Sequence, residues 1–191
     1  LTGNSSSNYA QNNSDVSRWY HEGGSDSEYI EATRTSCKDL PNANELSWYA
    51  KYGDPRWDGD ELWTTMGHLY KGGMWFKKKS VLQAENHYDT EISSNNTTDF
   101  RTKRGYYSNT NSSITNSGLP SAADANKYFY LPALGYYEKG RLYSLGDGYY
   151  WSSSSYLWTN YRAYYLGFYR GRVFVDYDNR TDGLRVEPTF E

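Results

Sequence analysis

Toward its C-terminal end the chain alternates with a period of two. Over residues 163–168 (AYYLGF) and 172–175 (RVFV) the side-chain character changes at every step, as half-buried antiparallel strands require. The alternation predicts Leu166, Phe168, Val173 and Val175 on a buried face, with Tyr165, Gly167, Tyr169, Arg172 and Phe174 facing out. Upstream, Glu45, Leu46, Trp48, Tyr49 and Tyr52 give a short amphipathic helix. Asn42 or Asn44 caps it, and Gly53 and Pro55 end it. LWTTMGHLYKGGMWFKKKSVL, broken by Gly72-Gly73, predicts a strand, a turn and a second strand. Residues 95–118 are polar and loop-like, and residues 127–134 (KYFYLPAL) form a further strand with Pro132 at an edge or bend. The Ser/Asn/Gly-rich residues 1–28 read as a linker or an extended entry strand, tied down by Trp19 and Tyr20. Residues 29–191 read as one α+β domain, with short helices first and a β-rich end. No internal repeat is evident.

Composition sharpens this picture at three points. With 191 residues the chain can bury one good core or two small ones. Hydrophobic residues make up only 37%, yet aromatics reach 18%, with 22 Tyr and 7 Trp. Disordered chains lack aromatics, so this composition describes a folded domain with a wet, aromatic surface. A net charge of -3 without a basic run argues against nucleic-acid binding through phosphate neutralisation. The single cysteine, Cys37, permits neither an intrachain disulfide nor a thiolate metal site. No stretch approaches the roughly 18 apolar residues of a membrane span. The Asn/Ser/Thr/Tyr-rich composition suits an exterior setting, and any membrane attachment is expected through a part preceding Leu1.

Candidate chemistry concentrates in residues 148–188. A fixed frame of Tyr150-Trp151-Ser152-Ser153-Ser154, Ala163-Tyr164, Leu166, Phe168, Val173, Asn179-Arg180, Gly183 and Arg185-Val186 encloses Tyr165, Gly167, Tyr169, Arg172, Phe174, Asp176, Tyr177 and Asp178. Large amphipathic rings beside Arg give much contact area for little ordering entropy, which is the chemistry of a binding surface. Tyr165, Tyr169, Arg172, Phe174 and Tyr177 are the expected hot spots. Trp151, Tyr164, Leu166, Phe168, Val173, Arg185 and Val186 are the expected buried anchors.

YFYLPALGYY, GYYWSSS, AYYLGF, NR and GLRVEP together resemble the C-type-lectin-fold domains of bacterial and phage surface proteins. More narrowly, they resemble variable proteins diversified by diversity-generating retroelements. The segment PNANELSWYAKYGDPRWDGDELWTTMGHLYKGGMWFKKKS is similar to one in gut-bacterial cell-surface and pilus-associated members, and the resemblance covers residues 37–191. It implies a C-type-lectin-like fold and a ligand-binding, non-enzymatic domain at the bacterial cell surface or on a phage tail, with a protein or glycan as partner. It further implies that the eight enclosed residues, together with Tyr156, Tyr161, Arg162, Thr181 and Asp182, descend from adenine-containing template codons and face the ligand. Codons of the AAY type cannot yield Lys, Glu, Gln, Met or Trp, and none of these occupies the eight positions. That outcome arises by chance about one time in six. Trp158 cannot come from such a codon and belongs to the scaffold.

Other chemistries weigh less. The related formylglycine-generating enzymes work through a pair of cysteines, which Cys37 alone cannot supply. Ser152–Ser155 lack a G-x-S-x-G elbow, and His21, His68 and His87 lack a triad context, so the serines are expected in a tight hydrogen-bonded turn. Asp54, Asp58, Asp60 and Glu61 miss the EF-hand spacing and are expected to cap or decorate a turn, so no metal or cofactor is expected. Lys77-Lys78-Lys79 reads as a solvated edge-strand gatekeeper. Two other functions remain open at this level. A carbohydrate-binding lectin would stack Tyr and Trp on sugar rings, with Asp176 and Asp178 accepting hydroxyls. A pilus or fibre subunit would use the aromatic surface for assembly.

Overall fold

A computed structural model describes residues 32, 36–65, 67–111, 113–157, 159, 161–187 and 190. The expectations for residues 1–28, Trp19, Tyr20, His21 and Trp158 lie outside the described residues. Helices α1 (Ala43–Tyr52), α2 (Lys79–Ala84) and α3 (Ser113–Asn116) are short. Strands β1 (Arg56–Thr65), β2 (His68–Lys77) and β4 (Tyr128–Pro132) form one antiparallel sheet in the order β1-β2-β4. Strands β3 (Tyr107–Thr110), β7 (Gly148–Ser155), β8 (Arg162–Tyr169) and β9 (Arg172–Asn179) form a second, in the order β3-β9-β8-β7. Strands β5 (Tyr136–Glu138) and β6 (Arg141–Tyr143) pair alone. The architecture is α+β, with antiparallel sheets and few, short helices. No described helix is long and apolar enough to cross a membrane.

Helix α1 starts at Asn42, whose side chain accepts from the Glu45 amide at 3.0 Å while the Glu45 carboxylate accepts from the Asn42 amide at 2.7 Å. This reciprocal capping box satisfies two otherwise orphaned donors. At the other end the Gly53 amide donates to Tyr49 O at 2.9 Å, and a Cβ on Gly53 would lie 2.3 Å from that oxygen, so only glycine fits. The helix is more enclosed than its amphipathic pattern suggests: Ala43 through Ala50 are all buried. The chain after α2 covers its polar side. Asn44 donates to Asp99 at 2.8 Å and accepts from the Phe100 amide at 2.8 Å; Trp48 donates to Ile92 O at 2.8 Å; Ser47 accepts from the Ser94 amide at 2.8 Å.

The apolar side of α1 (Ala43, Leu46, Tyr49, Ala50) closes the main core. Met74, Phe76, Phe129 and Leu131 enter from the three-stranded sheet, and Tyr150, Tyr164, Leu166, Phe168, Val173 and Val175 from the four-stranded one. The inward set of β8 and β9 is therefore as the alternation predicts. A smaller cluster, Ala32, Cys37, Leu40, Trp151, Ala163, Tyr165 and Leu184, packs on the opposite face of the four-stranded sheet.

Several local expectations are corrected. The β1–β2 turn includes Gly67, between Thr65 and His68, and is not at Gly72-Gly73, which lie inside β2. There a Cβ on Gly73 would come within 2.4 Å of both the Tyr130 ring and Leu131 O, so the glycine admits the ring of a neighbouring strand. Residues 79–84 are helical rather than strand, and the polar stretch 95–118 contains β3 and α3. Lys77 ends the central strand of its sheet and pairs with Glu85 at 2.7 Å, so it is no edge gatekeeper. The four serines lie buried on β7, where the register slips between Trp151 and Ser155, rather than in a turn. Across the slip Ser152 Oγ donates to Tyr164 O at 2.9 Å, and Ser154 Oγ accepts from the Ala43 amide at 3.0 Å. Arg185 and Val186 are exposed, and only the Arg185 backbone acts as an anchor, bridging Tyr149 and Trp151.

Candidate ligand-binding face

Register assigns the expected site residues to their faces. Tyr165 stands opposite Asp176, Gly167 opposite Phe174, Tyr169 opposite Arg172, and Ala163 opposite Asp178. Directly opposed residues of an antiparallel pair share a face. The face of β8 and β9 that does not meet the main core therefore carries Tyr165, Gly167, Tyr169, Arg172, Phe174, Asp176 and Asp178. Trp151 and Tyr149 continue it onto β7, and Ser108 onto β3.

Arg172 organises one end of this face. Its Nη1 donates to Tyr169 OH at 3.1 Å and its Nε to Ser108 Oγ at 3.0 Å. The guanidinium also sits 5.1 Å from the Phe174 ring centre and 5.9 Å from that of Tyr169, within cation–π range. Tyr169 is 36% exposed. Phe174 lies over Gly167: a Cβ there would meet the Phe174 ring at 2.4 Å. Any larger residue at position 167 must displace Phe174.

At the other end the face is acidic. Asp176 accepts from the Tyr177 amide at 2.9 Å, and Asp178 from the Asn179 amide at 2.8 Å. Burial raises the pKa of Asp176 above the usual carboxylate range, and the charge of Asp178 adds to the rise. Asp182 is pushed up to about 7, first by burial and then by the charges of Asp178 and Glu138. Among the described residues no group of three or more His, Cys, Asp or Glu is arranged to hold a metal ion.

The outward expectation is corrected for five residues, the first being Gly167, which lies buried under Phe174. Tyr165 is only 7% exposed. It is on the predicted face, but that face is covered there by Trp151, Leu184 and the edges of Tyr149 and Phe174. Tyr156 and Asp182 are likewise buried. Tyr177 points to the main-core side and stacks on Tyr156 with centroids 3.6 Å apart. Arg162 lies over both Tyr177 and Tyr161, at 5.2 and 5.3 Å, and Arg104 over Tyr156 at 5.7 Å. Tyr156, Tyr161, Arg162 and Tyr177 thus form a separate patch at the end of the sheet. Thr181 sits in the turn after β9, which the Asp182 amide closes by donating to Asn179 O at 2.9 Å.

Four contributors escaped the sequence reading. Tyr149 was available from the alternation of β7 with Tyr150, its neighbour on the core side. Ser108, Glu138 and Tyr136, whose ring meets that of Tyr149 edge-on at 5.0 Å, come from distant strands, and no local pattern marks them. Comparison with protein-family models, with curated proteins and with solved structures finds no match to this chain.

Proposed function

We propose that the protein is a non-enzymatic ligand-binding domain of receptor or adhesin type. In this reading it adopts a C-type-lectin-like fold and works at the bacterial cell surface on a protein or glycan ligand. A diversity-generating retroelement varies its outward residues. One observation carries the reading: the Tyr- and Arg-rich positions that alternate with the core residues of β8 and β9 share one sheet face. That face holds an Arg172 clamp flanked by Tyr169 and Phe174. Hydrogen-bonded strands hold these side chains in place before a ligand arrives, so little ordering entropy is lost on binding. The resemblance to retroelement-diversified proteins supplies the origin of the variation.

Tyr169, Arg172 and Phe174 are the energetic centre, with Asp176 and Asp178 at the rim. The test is to screen the protein against a glycan array and an array of surface proteins, then measure affinity for whatever binds. The double variant Tyr169→Ala/Arg172→Ala loses at least about a hundredfold in affinity, as hot-spot truncation does, with an unchanged melting temperature. Binding retained by this variant contradicts the proposal.

A further inference from the structure

Beside Leu184, which helps to seal this face at Tyr165, the structure contains a pocket of about 380 Å³, a size suited to a small molecule. Its walls come from separate elements: His68 and Tyr70 from the β1–β2 hairpin, Tyr137, Leu142 and Leu145 from β5–β6 and its flank, and Arg185 from the segment after β9. The walls are fixed before any ligand binds. Tyr137 and Gly183 exchange backbone hydrogen bonds at 3.0 and 2.6 Å, and the Arg185 backbone bonds Tyr149 and Trp151 at 3.0 and 2.9 Å. Gly135 has φ +66°, and a Cβ on it would lie 2.2 Å from Tyr143 O, so this wall closes only on glycine. Tyr70 stacks on Trp63 at 4.8 Å, and Trp63 is itself held by a 2.8 Å bond to Gly72 O.

The lining mixes apolar and polar groups. Leucines and tyrosines stand beside Thr65 and His68, and among the described residues no Asp or Glu lines the cleft. Among the described lining residues Arg185 is the one Lys or Arg; it is exposed and makes no ion pair among the described residues. Leu145 stands at the rim, 51% exposed. A cleft that combines leucine and tyrosine side chains with an arginine in its lining matches an apolar body bearing one carboxylate, because Arg presents a planar fork to both carboxylate oxygens.

We propose that this pocket is a second binding site, taking a small aromatic carboxylate. The ring packs between Tyr70, Tyr137 and the leucines, and the carboxylate pairs with Arg185. Tyr169, Arg172 and Phe174 contribute nothing to its lining. The test titrates the full chain with 2-naphthoate and, separately, with the neutral 2-naphthamide, following tyrosine and tryptophan fluorescence and calorimetry. Wild type binds 2-naphthoate saturably with a Kd below about 1 mM. Arg185→Gln weakens 2-naphthoate at least about tenfold while leaving 2-naphthamide unaffected. Leu145→Trp, a filling substitution at an exposed position, abolishes binding of both without lowering the melting temperature. Absence of saturable binding, equal 2-naphthoate affinity in Arg185→Gln, or binding that survives in Leu145→Trp would each overturn the proposal.

Discussion

Tyr165 and Tyr169 are four residues apart on one strand face, yet they serve different ends. Tyr165 lies under Trp151, Phe174 and Leu184, whereas Tyr169 reaches solvent beside Arg172. Truncating Tyr165 leaves a cavity in the smaller cluster, so Tyr165→Ala lowers stability by about 3 kcal/mol. Tyr169→Ala changes stability by less than about 1 kcal/mol. Denaturant unfolding of the two variants separates these roles, and equal losses would refute the division. Asp182 provides a pH test. Its carboxyl is raised to about 7 in the folded chain, against about 4 when unfolded. Between these values the native state holds a proton that the unfolded chain releases, so stability falls as pH rises through this window. Asp182→Asn removes that penalty. The variant melts higher than wild type at pH 8, by an amount on the order of 2 kcal/mol in stability, and the gap closes near pH 4. A melting difference independent of pH would show that the carboxyl's ionisation is not the cause.

Among the elements, α1 is legible in the sequence from both ends, because its signals are local: the Asn42/Glu45 capping box and the Gly53 stop each involve residues within four positions. Asn42→Ala removes that cap and costs about 1 kcal/mol, lowering the melting temperature by roughly 2–4 °C for a chain of this size. An unchanged midpoint would mean that burial alone holds the helix start. The β8–β9 hairpin is legible for a related reason, since Leu166, Phe168, Val173 and Val175 are all buried on one face and the period of two survives in the side-chain types. The β1–β2 turn is not. Gly72-Gly73 mimics a turn signal but serves close approach by Tyr130, a contact with a strand more than fifty residues further on. The serines of β7 mislead similarly: Ser152 spans a register slip, and Ser154 reaches the start of α1. The candidate face was legible in its parity and not in its depth. Alternation gives the face of Tyr165, but what covers it comes from Leu40, Cys37 and Leu184, which no local pattern connects to it.

At the scale of the whole molecule the four-stranded sheet divides two tasks between its faces. One face joins α1 and the three-stranded sheet in the main core. The other is sealed at Trp151 and Tyr165 and open at Tyr169, Arg172 and Phe174. Residues on the open part can change without touching the main core, which is the property that a diversified binding surface needs. Gly167 is the exception on that face, because a side chain there moves Phe174. In the proposed function these outward positions are varied by copying from a template. Sequencing the genomic neighbourhood of the encoding gene tests it most directly. The expected result is a near-copy of the stretch encoding residues 148–188 beside a reverse transcriptase gene. The two copies would differ only opposite adenines, with differences in the codons of Tyr169, Arg172, Phe174, Asp176 and Asp178 and none in those of Leu166, Phe168, Val173 and Val175. The absence of such a copy, or differences that fall equally on the four core codons, would contradict it.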